Sequence, residues 1–319
     1  VPTTRLERYR RTLQLALGVL WLLDAALQYQ PYMFTTAFPH QVIAPAAAGN
    51  PGWVARPVHW SATVMAHHQV LANASFATVQ LLIALGLLVR RTTRVALAGS
   101  VGWALAIWWL GEGLGGILTG AQSPITGFPG AALIYAVIAV CLWPPRGDGA
   151  ADRDVSVAAS SPAGRFPTAL AWVVLWGSAG YEALRAANRS PSALHSLFVD
   201  AEAGEPGWIR AIDRMAARAV AHHGTEVSIA LAVVLGMVAI AGAVGGARLM
   251  RIGVVVAAAF GVVIWFAGQD LGGIATGQAT DPNSGLLLAL LAAAYWPVRH
   301  RASASATAGG NRRPHVKRT

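Results

Sequence analysis

Two adjacent-histidine pairs, His67 with His68 and His222 with His223, are the residues of this chain best suited to chemistry, and each is preceded by alanine. Imidazole nitrogen suits copper, zinc, iron and nickel, and a mixed histidine and carboxylate shell is compatible with all four. His40 and His195 form a third pair at the same sequence offset, and carboxylates stand nearby at Asp24, Glu112, Glu182, Glu226 and Asp270. Glu226 lies three residues after His223 and four after His222, which puts it on one helix face with a histidine. Successive helix residues point about 100° apart, so one histidine of a pair ligates while the other supports it.

The expectation is a transition-metal site for copper, zinc or iron, or a haem held by paired histidines, serving metal handling or membrane electron transfer. His67, His68, His222 and His223 are the candidate ligands, and His40 and His195 cap them from loops. Asp24, Glu112, Glu182, Glu226 and Asp270 serve as second shell or proton relay. A different class of function uses the same groups: a proton-coupled transporter or channel for a small solute or ion. A third reading, an accessory subunit packed against other membrane subunits, needs no site. No Ser/His/Asp nucleophile arrangement, HExxH, Walker lysine or GxGxxG after a strand is present, so the sequence does not decide whether the chain is an enzyme.

The elements that position these groups come in two copies. Pro51, Gly52, Trp53 and Ala66, His67, His68 recur as Pro206, Gly207, Trp208 and Ala221, His222, His223, both at an offset of 155 residues. Trp21 falls on Trp176, and Gly115, Gly116, Thr119, Gly120 fall on Gly272, Gly273, Thr276, Gly277. Corresponding broken apolar segments in two halves point to a binding site in duplicated membrane proteins. Here they read GEGLGGILTGAQSPITGFPG from Gly111 and GQDLGGIATGQATDPNSG from Gly268. The alternative is an ordinary turn whose glycines allow close helix packing.

Composition sets the solvent. The chain is 55% hydrophobic and 12% charged, with a mean hydropathy of +0.49, against about 25% charged in a soluble domain. An all-α integral membrane protein is expected, with eight transmembrane helices as two parallel tandem four-helix repeats. The first repeat occupies residues 1–145, a flexible cytoplasmic linker 146–167, the second repeat 168–298, and a basic disordered cytoplasmic tail 299–319. With an even number of spans per repeat, the two copies insert in the same orientation.

The net charge of +10 does not indicate nucleic acid, because the basic residues sort by loop. With both termini cytoplasmic, only Arg56, Arg185, Arg189, Arg210, Arg214 and Arg218 fall outside, as the positive-inside rule requires. The expected location is the cell membrane, and the expected partner is the lipid bilayer. Cys141 is the only cysteine, which excludes an intramolecular disulfide and a CxxC site.

Overall fold

A computed structural model describes residues 4–145, 154–202 and 204–298. Residues 146–153 of the expected linker and the basic tail 299–319 lie outside the described residues. Every element among the described residues is helical, apart from one isolated bridge between Val155 and Val298.

Helix α1 (Arg5–Leu27) starts at a capping box: the Thr4 hydroxyl accepts from the Glu7 amide at 3.2 Å, and the Glu7 carboxylate accepts from the Thr4 amide at 2.7 Å. Short turns over Pro31–Phe34, Pro39–Ile43 and Ala44–Ala47 lead to α2 (Gly52–His67), α3 (Gln69–Leu88) and α4 (Thr93–Leu110). The GEGLGG segment then intervenes before α5 (Ala131–Cys141). The rest of the chain forms α6 (Arg165–Ala183), α7 (Ala186–Arg189), α8 (Ala193–Ala201), α9 (Gly207–Val220), α10 (Gly224–Val244) and α11 (Ala247–Ala267). A tight turn at Asp270–Thr276 precedes α12 (Asn283–Ala294).

Among the described residues, four helices are long and apolar enough to cross a bilayer: α3, α4, α10, and α11 with its continuation to Thr276. Their outward faces carry large apolar side chains, among them Leu71, Leu82, Val95, Val233, Met237 and Val263. Apolar residues exposed along a whole helix face need lipid as their solvent, which fits a multi-pass membrane protein. Helices α5 and α12 have 11 and 12 residues. At 1.5 Å per residue they reach only about 16–18 Å, short of a hydrocarbon core of about 30 Å.

Those two short helices occupy the centre. Both are buried on most of their surface and they pack on each other, through a core that includes Ile138, Ala139, Leu291 and Ala292. Around them α1 packs on α3 and α4 on α5, while α6 packs on α10 and α11 on α12. Close approach depends on small residues: a Cβ on Gly261 would strike the Gly285 carbonyl, and one on Gly253 would strike Ala241. Buried tryptophans tie the same contacts, with Trp21 Nε1 donating to Ser100 Oγ at 2.9 Å and Trp172 Nε1 to the Val238 carbonyl at 2.7 Å.

Residues 155–161, which fall within the expected linker, dock at the end of the bundle that carries the α1 N-terminus. Val157 and Ala158 are fully buried, the Ala158 amide donates to the Ala294 carbonyl at 2.9 Å, and Arg10 donates to Ser160 Oγ at 2.6 Å. The opposite end carries α2, α7, α8 and α9. Helix α9 presents Arg210, Arg214, Arg218, Trp208 and Met215 outward while burying Ile209, Asp213 and Ala217.

Candidate solute cavity

The repeated histidines do not converge. His40, His67, His68, His222 and His223 are exposed, and His195 is half-buried with its Nδ1 3.1 Å from the Ala217 carbonyl. His67 Nδ1 lies 2.8 Å from the Thr63 carbonyl at the end of α2, so its nearest partner is its own helix backbone. His68 and His223 occupy the breaks between α2 and α3 and between α9 and α10, with φ of −133° and −122°. Glu226 is exposed in the first turn of α10. Among the described residues no group of three or more His, Cys, Asp and Glu side chains is arranged to hold a metal ion.

The carboxylates have separate surroundings. Glu182 is buried on α6 and sits 3.6 Å from Arg185 Nε. Asp270 faces Asp213 of α9, with Glu205 beside them, and all three are buried. The two Asp213 oxygens and Asp270 Oδ1 are buried and find no donor in the surrounding protein. Burial raises Glu205 and Asp213 above the usual carboxylate range, and the charge of Asp213 raises Glu205 further.

Asp24 and Glu112 instead meet at a cavity of about 360 Å³ enclosed by α1, α2, α3, α4 and α5. Six aromatic rings line it, from Trp21, Phe38, Trp60, Phe76, Trp103 and Tyr135, together with Gln28, Gln80 and Asp281. Trp21 stacks obliquely on Tyr135, with centroids 4.3 Å apart, and Phe76 meets Trp103 edge-on at 5.0 Å. Six buried polar atoms of this lining find no partner within the protein: Asp24 Oδ1, Gln28 Oε1, Gln80 Oε1, Trp103 Nε1, Glu112 Oε2 and Tyr135 Oη. The Tyr135 hydroxyl stands beside the Asp24 carboxyl without closing a hydrogen bond to it. An unsatisfied buried polar atom costs about 1–3 kcal/mol, and folded proteins keep few of them, so six around one space mark a place built to meet something polar.

Glu112 is held by the break after α4. Its Oε1 accepts from the Ala132 amide at 3.0 Å, capping α5, while its Oε2 stays buried and unpaired. The Asp281 oxygens accept from Thr280 Oγ1 and the Asn283 amide, each at 2.7 Å. Asp281 belongs to the loop before α12, so the second half of the chain contributes to a cavity whose walls come from the first. A second, more open hollow of about 680 Å³ shares Val42, Glu112, Ala131, Thr280 and Asp281 with the cavity and connects it toward the end carrying α2 and α9.

The two broken segments that frame this entrance have matching backbones. Gly113, Leu114, Gly115 and Gly116 all adopt positive φ, between 54° and 64°, and Asp270, Leu271, Gly272 and Gly273 do so between 50° and 78°. Each is a left-handed turn of four residues, a conformation that costs a residue with a Cβ about 1–2 kcal/mol. Thr119 and Thr276 then close equivalent turns, their hydroxyls donating to the Gly116 and Gly273 carbonyls at 2.8 and 2.7 Å. In this register Glu112 corresponds to Gln269, not to Asp270. Gln269 Oε1 accepts from the Gly285 amide of α12 at 2.8 Å, as Glu112 does from Ala132 of α5.

Sequence reasoning named Asp24 and Glu112 and missed Gln28, Gln80, Trp103, Tyr135 and Asp281. Gln28 follows Asp24 by four residues on one helix face, which is the signal that could have found it. Comparison with protein-family models, with curated proteins and with solved structures finds no match for this chain.

Proposed function

We propose that the chain is a proton-coupled membrane transporter for a small solute, which it binds in the cavity between Asp24 and Glu112. The observation that carries this reading is the convergence of six unpaired buried polar atoms and two carboxyl groups on one largely aromatic cavity with an entrance. Ionisable groups at membrane depth are expensive and mark solute and proton pathways. Glu112, whose Oε2 is buried and unpaired at the cavity wall, is suited to hold a proton and give it up when a solute arrives.

The proposal includes eight crossings arranged as two tandem repeats with both termini in the cytoplasm. The recurring order of long helix, surface helix, two long helices, left-handed turn and short buried helix supports it. In this arrangement α1, α3, α4 and α5 are the crossings of the first repeat, and α6, α10, α11 and α12 those of the second. The short α5 and α12 complete their crossings with the broken segments, whose irregular backbone is covered by protein as it must be at that depth.

The transition-metal and haem reading has no specific observation in its favour, since the candidate histidines are exposed and apart. Metal content and the visible spectrum of the purified protein check it directly.

Reconstitution tests transport. In liposomes enclosing a pH-sensitive dye, an imposed solute gradient should drive proton movement in the wild type. Asp24→Asn and Glu112→Gln should each reduce it at least about tenfold, while Glu226→Gln on the exposed first turn of α10 should leave it unchanged. Wild-type rates equal to those of empty liposomes across a panel of cationic, neutral and anionic solutes would refute the reading.

A further inference from the structure

The same cavity also specifies the chemical class of its occupant, an inference that rests on solute binding at this site. Four of its six unpaired atoms are oxygens: Asp24 Oδ1, Glu112 Oε2, Gln28 Oε1 and Gln80 Oε1. Once ionised, the two carboxylates accept hydrogen bonds and donate none, however the amides of Gln28 and Gln80 are turned. Asp24, Gln28, Gln80 and Tyr135 are each less than 6% exposed, so these groups meet the cavity and little else. Among the described residues, no Arg, Lys or His lines the cavity or the hollow leading to it.

Acceptors without basic residues disfavour an anion, whose oxygens would face oxygens. A bare metal ion is a poor fit for another reason. Hard cations take six or more oxygen ligands within about 2.6 Å, whereas this wall is dominated by aromatic rings. A neutral apolar molecule would leave the acceptors unpaired. What satisfies both parts of the wall is a group with several N–H donors and a positive charge, attached to an apolar body that packs on the rings. Aromatic faces add attraction for such a charge, and more so where water is excluded. The volume lies within the range of small-molecule sites, about 300–1,000 Å³.

We propose that the cavity is a binding site for a protonated organic amine, with the ammonium among Asp24, Glu112 and the Gln28 and Gln80 carbonyls and the apolar body against Trp21, Phe76 and Trp103. Asp281 adds negative potential at the entrance while its own oxygens remain engaged in the turn before α12.

The test uses the full-length protein in detergent or nanodiscs at pH 8.5, titrated with phenethylammonium, with the neutral 2-phenylethanol and with the anionic 3-phenylpropionate, and followed by calorimetry. The ammonium should bind saturably and at least about tenfold more tightly than either analogue. Asp24→Asn and Glu112→Gln should each weaken it by about tenfold or more, with Glu226→Gln as the unaffected control. Two separate variants keep the test valid if one of them fails to fold.

Equal binding of the neutral or anionic analogue would overturn the proposal. So would unchanged affinity in both carboxyl variants, or no saturable binding of phenethylammonium, benzylammonium and cyclohexylammonium. Binding without coupled flux would support the amine site and refute transport. Coupled flux of a solute that carries no amine, with no amine binding, would do the reverse.

Discussion

At the residue scale, the carboxyls of Glu205 and Asp213, at the end that carries α9, are raised above the usual carboxylate range by burial. A folded-state value above the unfolded one means that the folded state holds the proton more tightly. This contribution to stability is therefore complete below about pH 4 and is lost as pH rises through the raised values. Thermal unfolding of the wild type should show a midpoint that falls as pH rises above about 4, and Asp213→Asn should flatten that fall. A slope of the same steepness in the variant would assign the pH dependence to other groups.

The charge of the amine itself governs the ligand. An ammonium should be released as it loses its proton near pH 10. Calorimetric affinities between about pH 8.5 and 11 measure this limb, and an affinity that is flat over this range in the wild type would mean that the charge is not what the cavity recognises.

Asp24 and Glu112 were legible in the sequence because a carboxylate in an apolar run stands out on composition alone. Gln80, Trp103 and Tyr135 were not, since uncharged polar and aromatic residues are ordinary in such runs, and only the packing of α3, α4 and α5 brings them together. The histidines illustrate the converse. Their repetition was plain, and in the structure His68 and His223 are exposed at helix breaks.

At the scale of the element, the left-handed turns explain why the glycines of both broken segments recur. A Cβ on Gly272 would approach the backbone of Pro282 to between 2.6 and 2.8 Å, and one on Gly115 would collide with the Pro129 carbonyl. The turns thus press against the chain that enters α12 and α5. Gly272→Ala and Gly115→Ala combine a disfavoured φ with this contact, and each should destabilise the protein by at least about 2 kcal/mol. Gly102→Ala is the control, at a position on α4 where an added Cβ meets nothing within 4 Å. Melting points measured for all three in detergent should rank Gly102→Ala close to the wild type and the other two well below it. Parity of the three would mean that the turns relax at no cost. The sequence located these segments as breaks, but it could not supply their handedness, because leucine at Leu114 and Leu271 is an unusual occupant of positive φ. The alignment of Leu114, Gly115 and Gly116 with Leu271, Gly272 and Gly273 did contain the pairing of Glu112 with Gln269.

At the scale of the whole molecule, the two halves are similar in order and different in chemistry. The cavity is walled mainly by the first, with Thr280 and Asp281 from the second, and in the second half the amide Gln269 stands where Glu112 stands in the first. The halves also interlock at the entrance. Gln269 Nε2 donates to the Ile125 carbonyl at 2.9 Å, Asn188 Nδ2 to the Gln122 carbonyl at 2.6 Å, and Asp281 reaches the cavity itself.

In the arrangement proposed above, both halves present their broken segments on the same side of the membrane. Cysteine labelling tests this, starting from Cys141→Ser, since the single native cysteine is buried. Thr36→Cys and Arg218→Cys lie at exposed positions of the end that carries α2 and α9, and Arg91→Cys and Arg248→Cys lie at exposed positions of the turns between α3 and α4 and at the start of α11. With both termini in the cytoplasm, the first two should react with an impermeant maleimide in intact cells and the last two only after permeabilisation. If Thr36→Cys and Arg218→Cys reacted from opposite sides, the halves would be inverted relative to each other, and a cavity shared between Asp24, Glu112 and Asp281 could not form at one face.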